Sequence, residues 1–119
     1  MTIRLKRAYE APDRGDGFRV LVDRLWPRGM SKSRAHIDKW LKDIAPSTEL
    51  RMWFGHDPAK WQKFRTLYFR ELDSRPDAVA ELLGHSREGD VTLLYSARDR
   101  EHNDAVVLKE YLESRRSRH

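Results

Sequence analysis

The chain of 119 residues contains no cysteine. This absence excludes a disulfide framework, a thiol nucleophile and a zinc site built on cysteine ligands. The five histidines include no closely spaced pair, so a histidine-based zinc site is not expected either. We therefore expect no metal ligands, and the sequence indicates no particular cofactor.

Long apolar runs are also missing. No stretch approaches the roughly 18 apolar residues that a membrane-spanning helix needs. The N-terminal segment MTIRLKRAYE lacks the apolar core of a signal peptide. These features predict a soluble protein that stays in the cytoplasm and has no membrane partner.

Several functional signatures are absent as well. The sequence has no GxGxxG, Walker A, GxSxG or HExxH motif. Prolines at positions 27, 46, 58 and 76 interrupt the helical span that a helix-turn-helix would need. No internal repeat or linker divides the chain, so we expect residues 1–119 to form a single domain with its own core.

Charge is the most prominent feature that is present. Charged residues make up 36% of the chain, and the formal net charge is +5. This balance favours anionic partners such as nucleotides, nucleic acids or other phosphorylated molecules. The alternative is that arginine is merely a frequent surface residue, since 19 acidic residues are interspersed and the one basic cluster is at residues 115–119.

Apolar patterning predicts alternating strands and helices. Strands are expected at residues 2–8 (near a sheet edge), at 18–26 (buried, Leu25 included) and at 91–96. Residues 37–45 fit a helix and a strand equally well. Helices are expected at 31–36, from the Ser47 cap to Trp53, from Asp57-Pro58 to about residue 72, from Pro76 to Gly84, and at about 102–114.

The junction after the last strand is the first candidate site. An apolar run ends abruptly in polar residues, and a helix follows, which is where ligands bind in open α/β sheets. An Asp99–His102 pair, with Ser96 as a nucleophile or phosphate ligand, is one interpretation. The other is a charged loop whose acids favour the helix dipole. The candidates here are Ser96, Arg98, Asp99, His102 and Asn103.

Two further clusters follow earlier strands. Arg24 and Arg28 surround the end of residues 18–26, where their guanidinium groups could grip a phosphate or carboxylate. The alternative is an Asp23–arginine ion pair that fixes the strand end, with Trp26 in the core. Farther on, Ser47, Arg51 and His56 are candidates for anion binding and proton transfer, although Ser47 also suits a helix cap and His56 a turn.

The clusters in this order resemble the YeaO-like branch of the family called domain of unknown function 488. The matching segments are VLVDRLWPRG (20–29), DKWLKDIAPS (38–47), LRMWFGHDPAKW (50–61) and TLLYSARDREHNDAVVL (92–108). The resemblance implies a compact α/β domain with a central, mostly parallel sheet of about four strands flanked by helices. It also implies that residues 37–45 form a strand. Broader members carry a Cys-His-Arg run where this chain has His102-Asn103-Asp104, which removes any thiol or metal mechanism taken from them.

Our leading hypothesis is an anion-binding cleft at the C-terminal ends of the strands, for a nucleotide-like or otherwise phosphorylated ligand. Arginines 24, 28 and 98 would bind the anion, serines 47 and 96 would orient it, and His56 or His102 would transfer protons if chemistry follows. One alternative is a nucleic-acid-binding accessory module that uses the basic surface and the arginine-rich tail. Another is a structural partner protein that buries its Trp and Phe residues in an interface. The sequence leaves the oligomeric state open.

Overall fold

The computed structural model describes residues 2–116, which form one four-stranded sheet and the helices around it. The strands are β1 (Ile3–Arg7), β2 (Phe18–Leu21), β3 (Lys39–Trp40) and β4 (Val91–Tyr95). The α-helices are α1 (Lys32–Ala35), α2 (Thr48–Phe54), α3 (Trp61–Asp73), α4 (Pro76–Glu88) and α5 (Asp104–Arg116). Short 3₁₀ turns occupy Arg14–Asp16, Lys42–Ile44 and Pro58–Lys60.

All pairings in the sheet are parallel, and the strand order is β1-β4-β2-β3. All five residues of β4 are buried, which explains why its sequence VTLLY is nearly continuously apolar. The expected α/β class, the parallel sheet and the edge position of β1 are confirmed.

The two faces of the sheet are covered unequally. Helices α3, α4 and α5 pack with Val20 and Leu93 in the main core. Leu21 and Leu94, the next residues along their strands, point to the opposite face, where Trp26 and Trp40 cover them. The helices therefore lie mainly on one face, and loops close the other.

Two of the predicted strands are shorter in the structure. Strand β2 ends at Leu21 rather than at residue 26, and Leu25, which we expected to be buried, is 63% exposed. In the ambiguous segment 37–45 only Lys39 and Trp40 form a strand, and the 3₁₀ turn that follows buries Ile44. The apolar residues beyond β2 and β3 therefore cover the sheet or line its edge instead of extending it.

The helix starts agree with the predicted caps. The Ser47 side chain accepts from the Leu50 N–H, and the Asp57 side chain accepts from the Ala59 N–H. The predicted end of α4 at Gly84 is wrong, because the helix continues to Glu88 and buries Ser86 on the same face as Leu82. Helix α5 begins at Asp104, two residues later than expected.

A buried ion pair fixes the opposite, N-terminal side of the sheet. Arg19 is 4% exposed and pairs with Asp16, and it also donates to the backbone carbonyls of Ala35 and His36. Lys6 approaches Asp16 at 3.1 Å. Burial alone would raise the pKa of Asp16, but hydrogen bonds from the Asp13 backbone N–H and from Lys6 and Arg19 lower it on balance.

None of the helices within residues 2–116 combines the length and apolar character that a membrane crossing requires. Of the basic cluster at 115–119, residues 117–119 lie outside the described part of the chain.

Replacing Gly84 with alanine should stabilise the protein. Gly84 is inside α4, and a Cβ added there meets no atom within 4 Å. Because glycine in a helix interior costs conformational entropy, we expect Gly84→Ala to raise the free energy of unfolding by about 0.5–1 kcal/mol in urea titrations.

Gly17→Ala is the matched control for this substitution. Gly17 has φ 65°, and a Cβ there would lie 2.2 Å from the Asp90 carbonyl oxygen. This variant should be destabilised. A destabilised Gly84→Ala protein would contradict a continuous α4.

Candidate functional site

The ends of β2 and β4 lie side by side in the sheet, and the chain leaves them in opposite directions. After β2 it proceeds towards the neighbouring edge strand β3, whereas after β4 it enters α5, which packs on β1 and β4. Divergent connections of this kind open a crevice at the carboxyl ends of parallel strands. A cavity of about 270 Å³ lies here.

Segments that are distant in the sequence surround this cavity. Its lining comes from the loop after β2, from the chain around α2, from α3 and from the β4–α5 junction. The lining residues are Asp23, Arg24, Leu25, Pro46, Arg51, Met52, Phe54, His56, Phe64, Ser96, Ala97, Asn103 and Asp104. The clusters that follow β2 and β4 therefore both contribute residues to one cavity, Arg24 from the first and Ser96 from the second. Arg51 and His56 of the remaining cluster line the same cavity.

Asp23 is held in place by the end of β4. Its Oδ2 atom accepts hydrogen bonds from the backbone N–H and from the hydroxyl group of Ser96, each at 2.8 Å. The hydroxyl hydrogen of Ser96 is therefore used by a carboxylate. This arrangement leaves Ser96 poorly suited to bind an anion, and it replaces the Asp23–arginine ion pair of the alternative interpretation.

A second carboxyl group, that of Asp104, hydrogen-bonds Asp23. Burial raises the pKa of Asp104 well above its usual value, and the negative charge of Asp23 raises it further. The backbone N–H groups of Asp104 and Ala105 lower the pKa, but with smaller effect. The raised pKa favours the protonated form of Asp104, which can donate a hydrogen bond to Asp23.

Cationic and titratable side chains also line the cavity. The Arg24 guanidinium reaches the backbone carbonyl of Pro46 at 3.3 and 3.4 Å and that of Ala45 at 3.5 Å, which are long hydrogen bonds. The Arg51 side chain is exposed and has no ion pair within residues 2–116. His56 follows Gly55, and both adopt left-handed backbone conformations, with φ 57° and 53°.

Three predicted ligand-binding residues do not line the cavity. Arg28 and Arg98 are exposed elsewhere. Ser47 caps α2, and its hydroxyl group donates to Glu71 at 2.6 Å. Both residues line a second, shallower groove instead of the cavity. The predicted meeting of Arg24, Ser47 and Ser96 is therefore realised for Arg24 and Ser96, with Pro46 at the cavity in place of Ser47.

The predicted Asp99–His102 pair forms, but it does not line the cavity. The His102 Nδ1 atom is 3.1 Å from Asp99 Oδ2, and the imidazole ring meets the Trp61 ring edge-on. Asn103 does line the cavity, yet its amide group is occupied: it accepts from Val106 N–H at 3.1 Å and donates to the Asp99 carbonyl at 2.9 Å. The proton-transfer roles of His56, His102 and Asp99 stay predictions.

Sequence reasoning missed the two carboxyl groups. Asp23 was considered only as an ion-pair partner, and Asp104 only as part of a polar loop. Asp23 is the first polar residue after the apolar run of β2, and Asp104 is the first residue of α5. These positions point to the site but do not predict that the two carboxyl groups meet. It also missed Leu25 and Met52, which line the cavity although they are 63% and 77% exposed.

Comparisons with known proteins identify the family. Residues 2–119 match the family model described as "Inactive DUF488-N3 subclade". The chain belongs to this subclade. It is 41% identical to "Uncharacterized protein YeaO" of Escherichia coli K12 over 114 residues, covering 96% of this chain and 99% of that protein. It is 40% identical to "Uncharacterized protein Rv3073c" of Mycobacterium tuberculosis H37Rv over 113 residues, covering 95% of each.

No solved structure matches the chain. Residues 2–116 contain no group of three or more His, Asp or Glu side chains placed to hold a metal ion. The family membership confirms the resemblance to the YeaO-like branch on which the expected fold depended.

The carboxyl pair predicts a specific dependence of stability on pH. Asp104 has a raised pKa in the native protein, so the native state binds its proton more tightly than the unfolded chain does. The free energy of unfolding should therefore fall as the pH rises from the usual carboxyl value of 3.8 through the raised pKa. Asp104→Asn cannot ionise, so we expect it to gain stability relative to the parent protein over this range in urea titrations.

Asp99→Asn should change the pH dependence of stability in the opposite direction. Hydrogen bonds from the backbone N–H groups of Glu101 and His102 lower the pKa of Asp99. Its contribution is present at neutral pH and is lost as the pH falls through the lowered pKa, so Asp99→Asn should be destabilising at neutral pH and less so in acid. Parallel pH profiles for Asp104→Asn and the parent protein would contradict the raised pKa of Asp104.

Proposed function

We propose that this protein binds a small phosphorylated molecule in the cavity at the ends of β2 and β4, with the phosphate beside Arg24 and Arg51. The observation that carries the proposal is the convergence of Arg24, Arg51 and His56 on one cavity from separate segments. Arginine suits this role because its planar guanidinium group donates paired hydrogen bonds to phosphate oxygens.

The carboxyl pair supports the same orientation. A phosphate placed beside Asp23 and Asp104, which are half-buried carboxyl groups, would be repelled by their negative charge. Arg51 is exposed, and the hydrogen bonds of Arg24 to the protein are long. A phosphate can therefore replace weak contacts of Arg24 and gain a new partner in Arg51.

Binding without turnover is the form of the proposal that we favour. The family model that the chain matches is described as inactive. The Ser96 hydroxyl group is hydrogen-bonded to Asp23, and the His102 imidazole packs on Trp61 outside the cavity. The hydroxyl hydrogen of Ser96 is thus directed to a carboxylate rather than to either of the predicted histidine bases.

The alternative function, a nucleic-acid-binding module that uses a broad basic surface, has less support. Many surface cations within residues 2–116 are engaged by acidic side chains. These pairs are Arg4–Asp90, Lys39–Glu81, Arg65–Glu110, Arg100–Glu10 and Arg115–Asp73. Neutralised cations release few counterions on binding a phosphate backbone, so they contribute little affinity for nucleic acid.

Thermal-shift measurements with inorganic phosphate, sugar phosphates, nucleoside monophosphates and a single-stranded oligonucleotide test the proposal. A ligand that binds only the native state raises the melting temperature. We expect a phosphorylated small molecule to do so. Arg51→Ala should then weaken its binding by roughly 10-fold or more in titration calorimetry, because a hydrogen bond to a charged group is lost.

Arg34→Ala is the matched control. Arg34 is an exposed arginine of α1, which packs beside Arg19 on the other side of the sheet. Its removal should leave the affinity unchanged. Equal losses in both variants, together with a steep dependence on salt, would favour diffuse binding to nucleic acid instead. No stabilisation by any phosphorylated small molecule would refute the proposal.

A further inference from the structure

The apolar part of the cavity lining restricts the ligand beyond its phosphate. Leu25 and Met52 both line the cavity, yet they are 63% and 77% exposed. They are two of the four large apolar side chains that are exposed within residues 2–116. Because apolar surface gains free energy when it leaves water, a ligand that covers these two side chains is favoured.

An aromatic cluster also borders the cavity. The Phe54 and Phe64 rings are stacked with their centroids 4.3 Å apart, and both residues line the cavity. The imidazole ring of the exposed His56, another lining residue, has its centroid 6.0 Å from that of Phe54. An aromatic ring in the cavity would extend this cluster through offset or edge-to-face contacts. Met52 and Arg51 suit such a ring as well, because thioether sulfur and guanidinium groups both pack favourably on aromatic rings.

The protein itself satisfies many of the uncharged and acidic polar groups around the cavity. Oδ2 of Asp23 accepts two hydrogen bonds from Ser96, and the Asn103 amide group both accepts and donates within the protein. Within residues 2–116, every buried side-chain nitrogen or oxygen has a hydrogen-bond partner. The hydroxyl groups of a sugar phosphate would therefore exchange water for little gain here, whereas an apolar ring would cover surface that is now in water.

We infer that the ligand is a phosphate monoester whose organic part is a single aromatic ring, rather than a sugar or another polyol. The ring covers Leu25 and Met52 beside Phe54. The phosphate binds Arg24 and Arg51. This inference rests on the proposed function and adds the chemical class of the organic part. The cavity volume of about 270 Å³ is close to the lower limit for small-molecule sites, which suits a ligand with one ring.

The test compares phosphate monoesters that differ in the organic part alone. Phenyl phosphate is the aromatic probe, cyclohexyl phosphate is its saturated counterpart, and glycerol 2-phosphate is the polyol. At about pH 8 each phosphate group is doubly charged, so charge does not distinguish the probes. Titration calorimetry on the full chain should give at least about 10-fold tighter binding for phenyl phosphate than for glycerol 2-phosphate, because apolar surface is buried. Cyclohexyl phosphate should bind about 3-fold more weakly than phenyl phosphate, since it lacks the aromatic contacts.

Polar substitutions at the two exposed apolar residues test where the ring lies. Leu25→Asn and Met52→Gln keep the approximate size of each side chain and change exposed positions, so the protein should still fold. The double variant should bring the affinities for phenyl phosphate and glycerol 2-phosphate to within about 3-fold of each other, because the covered surface is no longer apolar. Trp53→Gln is the matched control. Trp53 is an exposed residue of the same helix, but it lines the shallower groove, so its replacement should leave the affinity ratio unchanged.

Failure of this inference is distinguishable from failure of the proposed function. Equal affinities of phenyl phosphate and glycerol 2-phosphate in the parent protein, both weakened by Arg51→Ala, overturn the inference and leave phosphate binding intact. Cyclohexyl phosphate that binds as tightly as phenyl phosphate overturns it as well, as does a phenyl phosphate preference that persists in the double variant. Absence of binding by all three esters overturns the inference, while stabilisation by sugar phosphates or nucleoside monophosphates would keep the proposed function.

Discussion

The placement of Asp23 is the constraint on which the sheet edge and the cavity depend. Its carboxyl group binds the backbone N–H and the hydroxyl group of Ser96, and its backbone carbonyl accepts from Trp40 Nε1 at 2.8 Å. One residue thus joins the ends of β2, β3 and β4. The negative charge of the same carboxyl group adds to the effect of burial in raising the pKa of Asp104.

The parts of the fold that depend on local chemistry could be predicted from the sequence. Ser47 and Asp57 satisfy the N–H groups of their own helix starts, and the apolar spacing of Phe64, Tyr68 and Leu72 marks the buried side of α3. Where an element ends could not be predicted when that end depends on tertiary packing. Gly84 resembles a helix stop in the sequence, yet continued burial along α4 carries the helix past it.

The site was predictable to the same extent. The rule that ligands bind at strand ends correctly brought Arg24 and Ser96 to one cavity. The pairing of Asp23 with Asp104 was not predictable, because an acidic residue at a helix start is ordinarily explained by the helix dipole. The position of the His102 ring against Trp61 likewise depends on how α3 packs beside the β4–α5 junction, which no local pattern records.

The order of strands in the sheet has a consequence for synthesis. Within residues 2–116, strand β1 pairs with β4 alone, and most of the paired residues of β2 are paired with β4. Because residues 8–90 separate β1 from β4, β1 has no strand partner while these residues are synthesised. The nascent chain therefore cannot close its central sheet until residues 91–95 have left the ribosome. Such long-range pairing slows folding and exposes the early strands to chaperones.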